Sequence, residues 1–162
     1  QQAAVQSAKP VIYIATAEVT DSEMAARIAR HQADRPETWQ TIEAPLNLPQ
    51  VLIENAQNSG QVILVDCLTL WLNNKMYHQP DITFDEVADE LVHALNQVQQ
   101  TKQCHIILVS NEVGMGIIPM GSTTRQFVDW QGWLNQRVAQ CADKVTFVAA
   151  GLPLTLKGHA NE

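Results

Sequence analysis

The stretch VIYIAT (residues 11–16) decides the fold of this chain. A short, continuous run of β-branched and other apolar residues is typical of a strand that is buried on both faces of a parallel sheet. Three further runs have the same character: QVILVDC (61–67), HIILVSNE (105–112) and KVTFVAAG (144–151). The sequence therefore predicts a parallel sheet that contains these four strands.

Helical patterns separate the apolar runs. Thr20 and Glu23 have the spacing of a capping box, which predicts the start of one helix. Thr83 and Glu86 predict the start of a second helix, which extends to about residue 102. Ser122 is the predicted cap of a third helix. Strands that alternate with helices indicate βαβ units, so the predicted fold class is α/β.

The composition limits the kinds of protein that this chain can be. With 162 residues, of which 46% are hydrophobic and 17% charged, the chain is large enough for one core, and we treat residues 1–162 as a single α/β domain. A net charge of −7 argues against nucleic acid or a membrane surface as a partner. No apolar run approaches the ~20 residues that span a bilayer. Cys67, Cys104 and Cys141 form no CxxC pair, so we expect free thiols and a cytoplasmic protein.

Each of the first three apolar runs ends in polar or acidic residues. The ends read Ala15-Thr16-Ala17-Glu18, Asp66-Cys67 and Ser110-Asn111-Glu112. Ligands of open parallel sheets bind beyond the carboxyl ends of the strands. We therefore expect a site for a cation, or for a phosphate with its metal ion, at this edge.

Positive charge is concentrated in the segment EMAARIARHQADRPETW (23–39) of an acidic chain. Arg27, Arg30 and His31 share one helical face, because they are spaced at i, i+3 and i+4. One interpretation is a solvated face on which Glu23 pairs with Arg27. The other is an anion site in which a neutral imidazole attacks phosphorus and nearby guanidinium groups stabilise the phosphate charge.

Two residues beyond the helix extend the second interpretation. Arg35 supplies a planar guanidinium fork that suits phosphate oxygens. Glu43 supplies a carboxylate that accepts hydrogen bonds from both the ring N–H and the amino group of a guanine. A guanine nucleotide is therefore one ligand that would suit such an anion site.

Several motifs occur in one order along the chain: IYIAT (12–16), EMAARIARH (23–31), RPETW (35–39), SNEVGMGIIP (110–119) and RQFVDWQGWLNQ (125–136). This order resembles the bifunctional adenosylcobinamide kinase / adenosylcobinamide-phosphate guanylyltransferase family from about residue 11 to residue 157. The resemblance implies a P-loop NTPase-like (RecA-like) fold with a mainly parallel sheet flanked by helices. It also implies phosphorylation of adenosylcobinamide by ATP or GTP with Mg²⁺, followed by GMP transfer from GTP through a guanylyl-histidine to give adenosylcobinamide-GDP.

The resemblance implies roles for particular residues of this chain. His31 is the implied nucleophile, and no second histidine lies beside it. Asp66 occupies the position of a strand-end carboxylate that binds Mg²⁺. Glu112, with Asn111, is implied to orient the metal or the cobinamide phosphate. The other implied nucleotide contacts are Ala15, Thr16, Ala17, Arg30, Gln32, Ala33, Asp34, Arg35 and Glu43.

One departure from the family pattern concerns the phosphate-binding loop. Family members begin with a strand and a Gly-rich loop that ends in Gly-Lys-Ser, whereas this sequence has no glycine before Gly60. The segment QQAAVQSA (1–8) has the composition of a helix end. We therefore expect the N-terminal strand and the Walker A loop to lie outside this sequence.

Two other functions stay open at this point. One is a P-loop small-molecule kinase without guanylyl transfer, and the other is a non-enzymatic nucleotide-binding module. The resemblance further implies a homo-oligomer, because family members form trimers, with adenosylcobinamide, its phosphate and GTP as ligands. Neither nucleic acid nor membrane insertion is expected.

Overall fold

The computed structural model describes residues 2–19, 21–33 and 35–158, without the side chain of Arg27. The helices are α1 (Gln2–Gln6), α2 (Ser22–Ala33), α3 (Leu48–Asn55), α4 (Leu68–His78), α5 (Phe84–Thr101) and α6 (Ser122–Cys141), with a 3₁₀ helix at Val113–Met115. The strands are β1 (Val11–Ala15), β2 (Gln40–Glu43), β3 (Val62–Asp66), β4 (His105–Val109), β5 (Val145–Ala149) and β6 (Leu152–Lys157).

Strands β1 to β4 form one parallel sheet in the order β2-β1-β3-β4. This sheet confirms the predicted α/β, P-loop NTPase-like class and three of the four predicted strands. Strand β2 was missed because its sequence, QTIE, is mostly polar and exposed, unlike that of a buried strand. Strand β4 forms an edge of the sheet, and its second side has no strand partner in the described part of the chain.

The fourth predicted strand does not belong to the parallel sheet, so that part of the prediction was wrong. Strand β5 pairs with β6 as an antiparallel hairpin. The two connecting residues, Ala150 and Gly151, both have positive φ, the geometry of a tight two-residue hairpin turn. An apolar run cannot reveal its partner, and the partner here is the next segment of the chain.

The two faces of the parallel sheet are covered unequally. The main core lies on one face, where Ile14 and Val65 pack beneath Leu68 and Trp71 of α4, and beneath further residues of α3, α5 and α6. The other face carries a smaller cluster of Val11, Tyr13, Val62 and Leu64, covered by Ala4 of α1 and by Trp39. The thinner cover leaves the carboxyl end of this second face open to ligands.

The helix starts agree with the sequence in one case of three. At α5, Thr83 Oγ1 accepts a hydrogen bond from Glu86 N, and the carboxylate of Glu86 accepts one from Thr83 N, which confirms the capping box. The predicted Ser122 cap was wrong, because Ser122 is already helical and Gly121 precedes it in extended backbone.

The start of α2 lies partly outside the described residues, which exclude Thr20. Asp21 Oδ1 accepts a hydrogen bond from Met24 N at 2.8 Å and so caps the helix. In the described part of the chain, no helix is long and apolar enough to cross a membrane.

Candidate active site

The carboxyl ends of three neighbouring strands bring two acids to one edge of the sheet. Ala15, at the end of β1, is in register with Glu43 on β2 and with Asp66 on β3. Residues in register on neighbouring strands project to the same face. The two carboxylates therefore flank the small side chain of Ala15. Asp66 ends a predicted strand, whereas Glu43 ends a strand that the sequence did not predict.

A cavity of about 250 Å³ lies above this row. The loops after β1 and β2, together with α2, close its sides. Its lining residues are Tyr13, Ala15, Ala17, Glu18, Val19, Ile28, Gln32, Arg35, Glu43, Pro45 and Asp66. Six of the predicted nucleotide contacts belong to this set: Ala15, Ala17, Gln32, Arg35, Glu43 and Asp66.

Asp66 is held by a tyrosine at the floor of the cavity. The hydroxyl of Tyr13 donates a hydrogen bond of 2.7 Å to Asp66 Oδ2. Burial of the ring, and next the hydrogen bond and charge of Asp66, raise the pKa of Tyr13 well above its usual value. The phenol therefore stays protonated and continues to donate at neutral pH. The second carboxylate oxygen, Oδ1, has no hydrogen-bond partner in the described residues.

Arg35 lies flat over the same tyrosine. Its guanidinium carbon is 3.6 Å from the centroid of the Tyr13 ring. Arg35 Nη1 donates a long hydrogen bond of 3.4 Å to Thr41 Oγ1. Its Nε is buried and has no hydrogen-bond partner among the described residues. Most of the five N–H donors of this guanidinium are thus left for an anion in the cavity.

His31 is exposed on the last turn of α2. It does not line the cavity, but Ile28 and Gln32 do, and these residues precede it by three and follow it by one. On a helix, positions i, i+3 and i+4 share one face, so His31 lies on the helix face that also carries Ile28 and Gln32. The residue is therefore exposed and not buried in the core.

The remaining predicted residues of this segment lie at or near the same turn. Arg30 and Ala33 are exposed and do not line the cavity. Asp34 and the side chain of Arg27 lie outside the described structure. Arg35 and Gln32 line the cavity, and these two residues therefore favour an anion site over a solvated face.

Thr16 is placed differently from its prediction as a nucleotide contact. Its side chain is fully buried, and its Oγ1 donates to Cys67 O at 2.7 Å and accepts from Cys67 N at 2.8 Å. Asn74 of α4 also donates to Thr16 O and to Pro45 O. The side chain of Thr16 therefore ties the β1 loop to the β3 loop beneath the cavity, and it has no group free for a nucleotide.

Glu112 lies outside the cavity and belongs to a second polar cluster. Its Oε1 accepts a hydrogen bond of 2.7 Å from Asn135 of α6. Gln131 Nε2 donates to Ser110 Oγ and to Asn135 Oδ1, and Asn135 also donates to Asn111 O. This cluster fixes the segment after β4, but the structure does not bring Glu112 together with the predicted nucleotide residues.

Two further polar residues line the cavity: Tyr13, which sequence reasoning missed, and Glu18, which belongs to the strand end expected at this edge. Tyr13 is the one aromatic residue in an otherwise aliphatic strand, and a buried phenol requires a hydrogen-bond partner, which was a usable signal. Glu18 pairs with His78 at 2.9 Å. That pairing joins residues 60 positions apart and had no local signal.

The donor set of the cavity fits a magnesium ion that arrives with a nucleotide. Among the described residues, no group of three or more His, Cys, Asp or Glu side chains is arranged to hold a metal ion. Mg²⁺ in nucleotide enzymes is held by one or two carboxylates, and phosphate oxygens and water complete its shell. Asp66, with Oδ1 unpaired at the strand end, meets that requirement.

Fold and site together define an α/β enzyme class that binds a phosphorylated ligand beyond the carboxyl ends of a parallel sheet. Residues 1–156 match the family described as cobinamide kinase / cobinamide phosphate guanyltransferase. The chain belongs to this family, and it is therefore a kinase and a guanylyltransferase.

Curated relatives agree with this assignment. A bifunctional adenosylcobalamin biosynthesis protein of Pseudomonas aeruginosa is 44% identical over 159 residues, which cover 98% of this chain and 89% of the relative. Proteins with the same description from Escherichia coli and Salmonella typhimurium are each 34% identical over 165 residues, covering 96% of this chain and 91% of each relative.

Proposed function

We propose that this protein phosphorylates adenosylcobinamide and then transfers GMP from GTP to the product, with His31 as the carrier of the GMP group. The observation that supports this proposal is that His31 is exposed on the same helical face as Ile28 and Gln32, and these two residues line a cavity together with Arg35, Glu43 and Asp66. This combination provides a nucleophile, a phosphate-binding cation and two acids within one site.

In the proposed transfer, an unprotonated ring nitrogen of His31 attacks the α-phosphorus of GTP. The new P–N bond forms as the P–O bond to pyrophosphate breaks, and pyrophosphate leaves. A phosphate oxygen of adenosylcobinamide phosphate then attacks the same phosphorus, and the P–N bond breaks to return the imidazole. Two displacements replace one direct reaction between two large anions.

Other residues of the site have supporting roles in this proposal. The guanidinium of Arg35 binds phosphate oxygens, and Arg30 adds positive charge beside His31. Glu43 accepts hydrogen bonds from guanine, and Gln32, Ala15 and Ala17, which line the cavity, contact the nucleotide. Asp66 holds the Mg²⁺ that accompanies the triphosphate and neutralises charge on its oxygens.

We also propose that the strand and Gly-rich loop of the kinase step are supplied from outside this sequence. The second side of β4 has no strand partner among the described residues. One more strand beside β4 would pair with this edge. The full-length natural sequence tests this, because the proposal requires a Gly-x-x-x-x-Gly-Lys-Ser motif before residue 1.

The cellular setting and assembly complete the proposal. Cys67, Cys104 and Cys141 are free thiols, which supports a cytoplasmic location. The loop at 113–120 exposes four large apolar side chains, which supports a homo-oligomer, a trimer by resemblance to the family: Met115, Ile117, Ile118 and Met120. Light scattering of the natural protein measures the assembly directly.

The transfer step is tested with GTP labelled at the α-phosphorus. We expect label on the denatured protein that is lost in acid and retained in base, because a phosphoramidate has that stability. His31→Ala should abolish the label. His93→Ala, which removes an exposed imidazole from α5, is the matched control and should label like the wild type.

The three functions give different results in this experiment. A kinase without guanylyl transfer leaves the protein unlabelled, and His31→Ala then keeps full activity. A nucleotide-binding module binds GTP without releasing pyrophosphate. Equal labelling of wild type and His31→Ala would remove His31 from the mechanism.

A further inference from the structure

Among the described residues of the cavity floor, Tyr13 contacts both an acidic and a basic residue. It is 97% buried among its strand neighbours and Trp39, whose ring centroid is 6.3 Å away. Its hydroxyl donates to Asp66, and its ring face contacts Arg35. A residue of the smaller core cluster thus presents its one polar side-chain atom to the site.

The register of the sheet explains why this tyrosine reaches Asp66. Tyr13 is in register with Leu64 on β3, and Asp66 is two residues further along the same strand. Residues i and i+2 of a strand lie on one face, so the phenol extends diagonally along the sheet to the next side chain on that face. The contact is therefore built into the pairing of β1 with β3 and is present before any ligand binds.

The same ring also keeps two opposite charges from neutralising each other. Arg35 and Asp66 both line the cavity, but they form no ion pair among the described residues. The hydroxyl of Tyr13 occupies Asp66 Oδ2, and the ring face occupies one side of the guanidinium. Asp66 Oδ1 has no hydrogen-bond partner among the described residues, and neither has Nη2 of Arg35, so these atoms can take a cation and an anion.

We propose that Tyr13 is a positioning residue of the nucleotide site, which holds Asp66 toward a metal ion and Arg35 toward the phosphates while keeping the two apart. This inference rests on the proposed function, because it takes a magnesium–nucleotide complex as the ligand. The two contacts of Tyr13 are separable by substitution. Phenylalanine keeps the ring face and removes the hydroxyl, whereas leucine removes both.

The test compares GTP binding by calorimetry, with and without Mg²⁺, for the full-length natural protein and its Tyr13→Phe and Tyr13→Leu variants. For Tyr13→Phe we expect unchanged affinity without Mg²⁺, and a loss of roughly 10- to 100-fold in the gain that Mg²⁺ provides, the range found when a residue that orients a metal ligand is removed. For Tyr13→Leu we expect the affinity without Mg²⁺ to fall as well, because Arg35 loses its support.

Two controls separate positioning from a general effect on folding. Tyr77→Phe changes the only other tyrosine, which is 79% exposed, and should bind like the wild type. Tyr13→Phe in an Asp66→Asn background should cause no further loss of the Mg²⁺ effect, because both changes act on one carboxylate. Additive losses in this double variant would show that Tyr13 does not act through Asp66.

The remaining outcomes distinguish this inference from the proposed function. If the wild type binds GTP and is labelled at His31, but Tyr13→Phe retains the full Mg²⁺ effect with normal folding, the inference about Tyr13 is wrong and the function stands. If the wild type neither binds GTP nor becomes labelled, the proposed function itself is wrong.

Discussion

The loops around the cavity and the loop after β4 differ in how they are held. The cavity loops are tied from below by buried groups of α4, where Asn74 donates to two loop carbonyls and Trp71 Nε1 donates to Leu46 O. The segment after β4 is tied at its start by Asn135 and Thr69 and at its end by Arg125, and the apolar side chains between these ties are exposed to solvent.

This difference separates a part of the molecule that is complete by itself from a part that requires another surface. Buried hydrogen bonds fix the cavity loops before a ligand arrives, so little ordering is left for binding to supply. The loop at 113–120 leaves Ile117 and Met120 each 96% exposed. An exposed apolar group of this kind gains stability only when a ligand or a neighbouring subunit covers it.

The largest expected effect is that of Trp71→Ala. Trp71 is fully buried under the cavity loops, and its loss should lower the free energy of unfolding by about 3–5 kcal/mol. Trp133→Ala, at a residue of α6 that is 48% exposed, should cost a much smaller amount. Urea unfolding of both variants measures the comparison. Equal losses would mean that the two regions are held equally.

The next effect is that of Asn74→Ala. It leaves the buried carbonyls of Thr16 and Pro45 without their donor, which should cost about 1–3 kcal/mol and weaken GTP binding. Asn73→Ala, at the exposed neighbouring position, is the control and should change neither. Asn135→Ala should lower stability less than Asn74→Ala, because its partners are more exposed. A larger loss of stability for Asn135→Ala than for Asn74→Ala would contradict the proposed difference between the two regions.

The smallest expected effect is that of Glu86, at the start of α5 and outside both regions, and it serves as a reference for the two larger effects. The backbone N–H and then the hydroxyl of Thr83 lower the pKa of Glu86 below its ordinary value of 4.5. The charge of Glu86 therefore stabilises the fold above pH 4.5, and this contribution is lost as the pH falls through the lower folded pKa. The stability difference between wild type and Glu86→Gln should shrink on acidification. A difference independent of pH would exclude the charge as its source.

The sequence was informative where one physical requirement dominated. Strands β1 and β3 have continuous apolar runs because both of their faces are covered, and the half-buried edge strand β4 has a run of the same kind. The capping box of α5 is predicted from four consecutive residues. The failures depended on partners distant in sequence. Nothing in KVTFVAAG (144–151) distinguishes a hairpin from a buried parallel strand. No local pattern indicates that the hydroxyl of Thr16 forms hydrogen bonds with the backbone of Cys67.

The candidate site followed the same rule. Asp66 was found because it ends a predicted strand, Glu43 because a carboxylate suits guanine, and Arg35 because it lies in a basic segment. Tyr13 was missed as a site residue because its role arises from the register between β1 and β3. Glu112 was predicted from its motif, and the structure places it on a separate polar cluster, so its predicted role is not supported by proximity.

The short side chain of Ala15 between two acids has a geometric consequence. Neighbouring strands are about 4.8 Å apart, so the backbones that carry Glu43 and Asp66 are separated by about 10 Å, with only a methyl group rising between them. That methyl group forms the bottom of a slot whose width is set by the main chain and not by mobile side chains. A bulkier residue there would block the slot. The spacing of the backbones therefore limits the thickness of a molecule that can enter.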